Sequence, residues 1–394
     1  MVAKGKHGRG AASGWLSCLL GAAAIATAAV PAAAAQGQPD QAQTVEAKTA
    51  RNVIVFLGDA GGVPTLNAAG IYAHDRPLSL FIHTMPHIAL SDTSALNRWV
   101  SDSAAGMTAV MSGSKTNNGM VGVVPSADGK DVRPVKTILE YAEERGLSTG
   151  VVTNKDVWDA TPAATYAHVR TRSNKDEIFR QLLAPRFGDG VDILIGKGRD
   201  DAEAIFGRAG SSAAQAFASA GYLFGDDPAT VKPDTRRAAV LRNQDFAPGP
   251  AVEAAISSLS RNPRGYFLMV EWDMHTDEPL EGLRHAVEMD ELIRQVSARA
   301  GKDTLILFTA DHSFALRMIG GDRATPYAQQ YAETAKSGVK PDANPLLNVL
   351  DDHTGEEVLA AASGPGAERL RGFIPNTRLF QIIMDAMGWA ADHR

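Results

Sequence analysis

The sequence predicts one large α/β domain, a three-layer α/β/α sandwich built on a large, mostly parallel central sheet. Three observations carry this. Short β-branched and apolar runs recur along most of the chain, and helical patterns separate several of them. The chain is also long, 394 residues, with 44% hydrophobic and 21% charged residues, the balance of an ordinary globular protein with a sizeable core.

Taken in order, residues 52–57 (Asn-Val-Ile-Val-Phe-Leu) read as a buried strand, stopped by Gly58-Asp59-Ala60-Gly61-Gly62. The same kind of run recurs at 149–153, 192–195, 266–270, 304–309 and 358–362. Helices are expected over 135–144, 176–183 and 280–298, and another over 213–220 inside the Ala-, Ser- and Asp-rich stretch 202–251. Strands alternating with helices give a sheet covered on both faces, whose chemistry gathers at the carboxyl ends of its strands. Residues 320–352 are polar and read as a loop, a lid or an insertion.

Residues 1–35 read as a secretory signal peptide. Lys4, Lys6 and Arg9 form a basic start, residues 15–30 an apolar run, and Ala33-Ala34-Ala35 a small-residue cleavage site before Gln36. A retained anchor is the alternative, but the run is Ala-rich and short for a span. Cys18 sits too early in the run for a lipoprotein signal. Cleavage near Ala35 gives a periplasmic or secreted chain. It removes the chain's one cysteine, so the fold needs no disulfide. It also removes three basic residues and no acidic one, which deepens the formal net charge of −6. That balance argues against a nucleic-acid-binding domain. Residues 36–50 read as a flexible leader, and 51–394 as one domain with no membrane span.

Five segments place metal-ligand residue types after an apolar run or between elements: Asp59; Asp102-Ser103; Glu271-Trp272-Asp273-Met274-His275; Asp311-His312; and His353. A single acidic residue in such a place often only caps a helix. Asp311-His312 says more, because carboxylate and imidazole together suit zinc. Ser101-Asp102-Ser103-Ala104-Ala105 reads as a turn into a helix. Its serine is either an N-cap or a nucleophile, since a helix N-terminus favours developing negative charge.

These residues resemble the alkaline phosphatases from about Asn52 to the last helix. Val55-Phe-Leu-Gly-Asp59 is similar to the family's first strand and metal aspartate. Asp102-Ser103-Ala104-Ala105 through Gly119 resembles the phosphoserine helix and its following turn. Asp159-Ala160-Thr161-Pro162 and Ala167 through Arg172 resemble the magnesium threonine and phosphate-arginine segment. Asp311-His312 and His353-Thr354-Gly355 resemble the last two metal segments. The resemblance implies hydrolysis of phosphate monoesters through phosphorylated Ser103, with two zinc ions and one magnesium ion per chain. It implies Asp59, Asp311 and His312 for one zinc, with Ser103 beside it. It implies His353, His275 and a nearby carboxylate for the other zinc, and Asp59, Thr161 and Glu271 for magnesium. Arg172 would hold two phosphate oxygens, with Asp159 beside it in the substrate site; a homodimer is compatible with the resemblance. A phosphodiesterase or sulfatase of the same superfamily is one rival, and a non-catalytic phosphate-binding homologue another.

The chain departs from the family between Glu271 and His275, where several residues are missing. Asp273 is then the one aspartate inside the gap, and Met274 stands where many members carry a phosphate-contacting lysine or histidine. Glu271, Asp273 and His275 are spaced by two, so an extended chain points all three to one side, but about 13 Å would separate the outer two. The chain must therefore bend within 272–278. Asp277 is the competing zinc carboxylate, or else it caps the helix expected near Leu280. His168 reads as structural, Trp272 as a pocket wall or core residue, and His74, His83, His87, His285 and His393 have no motif support.

Overall fold

Asn52–Asp59 is buried along its whole length, as a strand covered on both faces must be. Val53, Val55 and Leu57 face one core, where helices Ser103–Ser112, Ile138–Glu144, Lys175–Leu183 and Thr377–Ala386 pack. Ile54 and Phe56 face the other, beneath helices Val63–His74, Pro248–Leu259 and Pro279–Arg299. Period-two alternation in one strand thus feeds two separate cores, and the result is the expected α/β/α sandwich. The computed structural model describes residues 49–391. The expected signal peptide, the leader up to residue 48 and His393 lie outside the described residues. Ala50 is already buried, its N–H donating to the Ala386 carbonyl at 2.7 Å.

The sheet has ten strands. Across it lie Gly372–Pro375, His87–Asp92, Val358–Ser363, Thr304–Ala310, Asn52–Asp59, Tyr266–Asp273, Ser148–Asp156, Ile193–Lys197, Ala238–Arg242 and Leu223–Gly225. Val358–Ser363 runs against both of its neighbours, and every other pairing in the sheet is parallel. All six expected strands and all four expected helices are present. The helix expected from residue 135 starts at Ile138, because Thr137 caps it in a reciprocal pair with Glu140.

Two readings are corrected. Residues 320–352 are not a loop alone: they hold helix Tyr327–Lys336 and most of strand Leu347–Thr354, which pairs antiparallel with Ser313–Met318. That strand is exposed over Asp351 and Asp352, which gave the stretch its polar look. Four strands of the sheet carried no sequence signal: His87–Asp92, Leu223–Gly225, Ala238–Arg242 and Gly372–Pro375. They are short and lie toward the edges, where pairing with a neighbour supplies the stability that propensity does not.

Register positions the chemistry. Asp59 pairs with Asp273, Leu57 with Glu271, Thr153 with Glu271, and Gly58 with Ala310, one residue before Asp311. Four adjacent parallel strands therefore end together and deliver Asp59, Thr153, Glu271, Asp273 and Asp311 to one place.

Candidate metal centre and active site

The turn after Asp59 is tight. Ala60 sits at φ 63°, a left-handed conformation uncommon for a residue with a Cβ. Its N–H donates to Asp311 Oδ1 at 3.3 Å, which ties the two strand ends together. A Cβ on Gly62 would collide with the Ser313 side chain, so glycine is needed where this turn crosses the next segment.

Helix Ser103–Ser112 begins directly over these strand ends. Its N-cap is Asp102, whose Oδ1 accepts from the Ala105 N–H at 3.0 Å. Ser103 therefore stands at the first helical position with its hydroxyl uncommitted to capping. That hydroxyl is buried, 3.3 Å from Asp59 Oδ1 and 3.2 Å from His312 Nε2.

Around it the ligand atoms gather in three overlapping sets, each with its atoms within 4.8 Å of one another: Asp59, Asp311 and His312; Asp59, Asp273 and His275; and His275, His312 and His353. The chain bends after Asp273, where the strand ends, and Met274 N–H donates to the Asp59 carbonyl at 2.8 Å. His275 then turns back, its Nδ1 2.6 Å from Asp273 Oδ1. His353 is brought over His312 by the pairing of Phe314 with His353. The two imidazoles stack at 3.7 Å, and His353 Nδ1 is held at 2.9 Å by the Ser101 carbonyl.

The magnesium set implied by the resemblance is only partly joined. Thr161 Oγ1 lies 3.5 Å from Asp59 Oδ2. Glu271 makes its side-chain hydrogen bond to Thr153 instead, and its Oε1 is buried without a partner. Arg172 spreads its fork between Asp159 Oδ1 at 2.8 Å and Asp102 Oδ2 at 3.4 Å. Asp159 thereby orients Arg172 and also caps the short helix Ala160–Ala163. Asp277 belongs to none of the ligand sets and does not cap the next helix, whose N-cap is Glu278. Trp272 is buried against Phe246 in the core on the far side of the sheet, where it lines a small pocket but not the cleft above the ligand cluster. His168 is structural as expected, held between Glu140 Oε1 at 2.7 Å and the Gly122 carbonyl at 2.6 Å.

The electrostatics are those of too many buried carboxylates. Burial first, then the neighbouring Asp59 charge, pushes Asp311 up to about 7 and Glu271 well above the carboxylate range. Burial also opposes ionisation of Asp59, but His275, His312 and Lys155 outweigh it and hold that carboxyl well below its usual range. His275 is raised to about 9, the Asp59 and Asp273 charges overcoming its burial. Cations resolve such a cluster. Imidazole with carboxylate fits zinc, and the all-oxygen group Asp59, Thr161 and Glu271 fits magnesium. The partnerless Asp311 Oδ2 and Glu271 Oε1 are acceptors for which the chain offers no donor.

A cleft of about 750 Å³ opens above the cluster, lined among others by Ser101, Asp102, Lys155, Asp273, His275 and His353. Sequence reasoning missed four groups here. Asn154 Oδ1 accepts from the Asp273 N–H at 2.8 Å, His285 Nδ1 meets the Asp273 carbonyl at 2.7 Å, and Thr153 bonds Glu271. Lys155 Nζ lies 3.1 Å from Asp273 Oδ2. Position at the end of the strand 149–153 was the one signal for Thr153, Asn154 and Lys155.

With this geometry in place, comparison with known proteins gives a consistent picture. The sequence model of the alkaline phosphatase family matches residues 50–209 and 237–349. Alkaline phosphatase 4 of Bacillus subtilis (strain 168) is 26% identical over an alignment covering 92% of this chain and 95% of that protein. The alkaline phosphatase of Escherichia coli (strain K12) is 30% identical, covering 86% of this chain and 87% of that protein. Among solved structures, the alkaline phosphatase of Thermus thermophilus has the same fold at a TM-score of 0.73 and 20% identity, covering 87% of this chain and 92% of that one.

Proposed function

Because the chain belongs to the alkaline phosphatase family, we propose that it hydrolyses phosphate monoesters, with Ser103 as the nucleophile and two zinc ions and one magnesium ion as cofactors. The observation that supports this most is the placing of one buried hydroxyl, Ser103 Oγ, which does not cap its helix, at a helix N-terminus within 3.3 Å of two expected metal ligands.

Asp59, Asp311 and His312 would hold one zinc, Asp273, His275 and His353 the other, and Asp59, Thr161 and Glu271 the magnesium. Bound there, the ions would neutralise the carboxylates, make the serine hydroxyl more acidic, and stabilise charge on the attacking and departing oxygens. The remaining work belongs to the chain. Ser103 Oγ forms a bond to phosphorus as the ester oxygen leaves; the serine proton is lost to solvent, and the departing oxygen takes up a proton from solvent to leave as the alcohol. Water then replaces the serine oxygen on phosphorus, giving up a proton while the serine oxygen regains one, and phosphate is released, so one hard displacement becomes two easier ones. The first turn of helix Ser103–Ser112 favours the charge that builds there. Arg172 offers a planar fork to non-bridging oxygens, already oriented by Asp159 and Asp102.

The same reading makes the chain an exported protein, cut near Ala35; among the described residues no helix is long and apolar enough to cross a membrane. Quenching turnover of an aryl phosphate in acid and mapping the phosphopeptides tests the assignment. Phosphate on Ser103 is expected, and phosphate on Thr161 or Ser112 would sink it. Comparing rates on an aryl monoester, diester and sulfate tests the substrate class: the monoester should be fastest by at least about 100-fold, which is about 2.7 kcal/mol of barrier.

A further inference from the structure

We infer that Lys155 is a phosphate-binding residue of this site, presented to the cleft from the end of the strand Ser148–Asp156. The inference rests on the phosphatase reading above for the identity of its ligand.

Three observations carry it. First, Met274, the residue beside the zinc-type aspartate, points away from the cleft. It is fully buried, and its thioether packs so closely on Gly58 that a Cβ there would stand 2.6 Å from the sulfur. Second, Lys155 reaches the same aspartate from the neighbouring strand. Its ammonium lies 3.1 Å from Asp273 Oδ2, and Asp59 and Asp159 add further negative charge around it. Register explains the reach: Thr153 pairs with Glu271, so residues just beyond Thr153 run beside Asp273. Third, Lys155 lines the cleft together with Asp102, Asp273, His275 and His353; among the described residues Arg98 is the other Lys or Arg on its wall, and Arg172 stands behind it, 3.4 Å from Asp102.

An ammonium group has three donors, and Asp273 takes one. Two are left for a ligand in the cleft. A cation bound by Asp273 would compete for that carboxylate and turn more of the ammonium toward an incoming phosphate oxygen. Arg172 and Lys155 are then two separate cationic contacts, one a fork and one a point charge. The alternative is that Lys155 is only a counter-ion that keeps Asp273 in place.

The test uses the zinc- and magnesium-loaded protein and inorganic phosphate, with binding measured by calorimetry and metal content alongside. Lys155→Met keeps the aliphatic stem and removes the charge. It should keep its metals and bind phosphate about 10- to 100-fold more weakly, with KM for an aryl phosphate raised more than kcat is lowered. Lys155→Arg should recover most of the affinity. Unchanged phosphate affinity in Lys155→Met overturns the inference, and so does loss of zinc from that variant, which would make Lys155 a counter-ion. A wild-type chain that binds phosphate in a Lys155-dependent way but turns over no monoester would sink the hydrolase reading and leave the lysine site standing. Turnover by wild type together with wild-type affinity in Lys155→Met would do the reverse.

Discussion

Asp273 is the candidate zinc aspartate on two grounds, its place in the chain and its contacts. With residues missing after Glu271, it is the one aspartate inside the gap, and in the fold its carboxylate meets His275 at 2.6 Å and Lys155 at 3.1 Å. Asp277 lines the same cleft but joins no ligand set. Asp273→Ala should lose about one zinc per chain and Asp277→Ala none, measured by elemental analysis; the opposite pattern would move the zinc aspartate to Asp277. Arg172→Lys keeps the charge but loses the fork, so kcat/KM should fall by roughly 1.5–3 kcal/mol of transition-state stabilisation and phosphate should inhibit more weakly. An unchanged inhibition constant would mean that Arg172 does not face the substrate. At this scale the sequence was most legible where several functional residues are neighbours, as in Asp102-Ser103 and Asp311-His312. Lys155, Asn154 and His285 were illegible because strand register and a returning helix, not adjacency, bring them to Asp273.

Helix Ser103–Ser112 is seated by a close approach. A Cβ on Gly106 would stand 2.5 Å from the Asp311 carbonyl oxygen, so the helix can lie on that strand end only without a side chain there. Gly106→Ala should lift the first turn and lower kcat by at least about 10-fold, and should also lower the melting temperature by a few degrees, because a clash costs about 1–3 kcal/mol. Full activity in that variant would show that the helix does not need this contact. A second element carries a pH signature remote from the chemistry. Glu143, near the end of helix Ile138–Glu144, is raised from 4.5 to about 8, chiefly by burial. Between those pH values the folded chain holds a proton that the unfolded chain has lost, so stability falls as pH rises through that window. Glu143→Gln should leave stability at pH 5 nearly unchanged and raise it at pH 9 by at least about 1 kcal/mol; denaturant melts at the two values decide it, and a flat difference would show that Glu143 ionises normally. Strong elements such as Pro279–Arg299 and Asn52–Asp59 were legible from period alone. Strand Leu347–Thr354 was not: its exposed face reads as polar loop, yet its pairing with Ser313–Met318 is what carries His353 to the site.

Across the whole molecule, the fold drives four carboxylates, Asp59, Glu271, Asp273 and Asp311, toward one end of the sheet. Burial and mutual repulsion raise Glu271 and Asp311, and three imidazoles crowd the same place. Such a site is unfavourable until cations enter it, so ions that bind only the folded state should stabilise it strongly. A chelator should lower the melting temperature by at least about 5 °C, and zinc with magnesium should restore it. We propose that bound zinc and magnesium together with Ser103 make a phosphate monoesterase. The most direct measurement is turnover of an aryl phosphate by metal-stripped protein re-supplied with zinc, magnesium or both, with Ser103→Ala carried in parallel. No turnover is expected without metal, with recovery on adding zinc, a further gain with magnesium, and at most a small residual rate in Ser103→Ala. Full activity in the stripped protein, or an unimpaired Ser103→Ala, would contradict it.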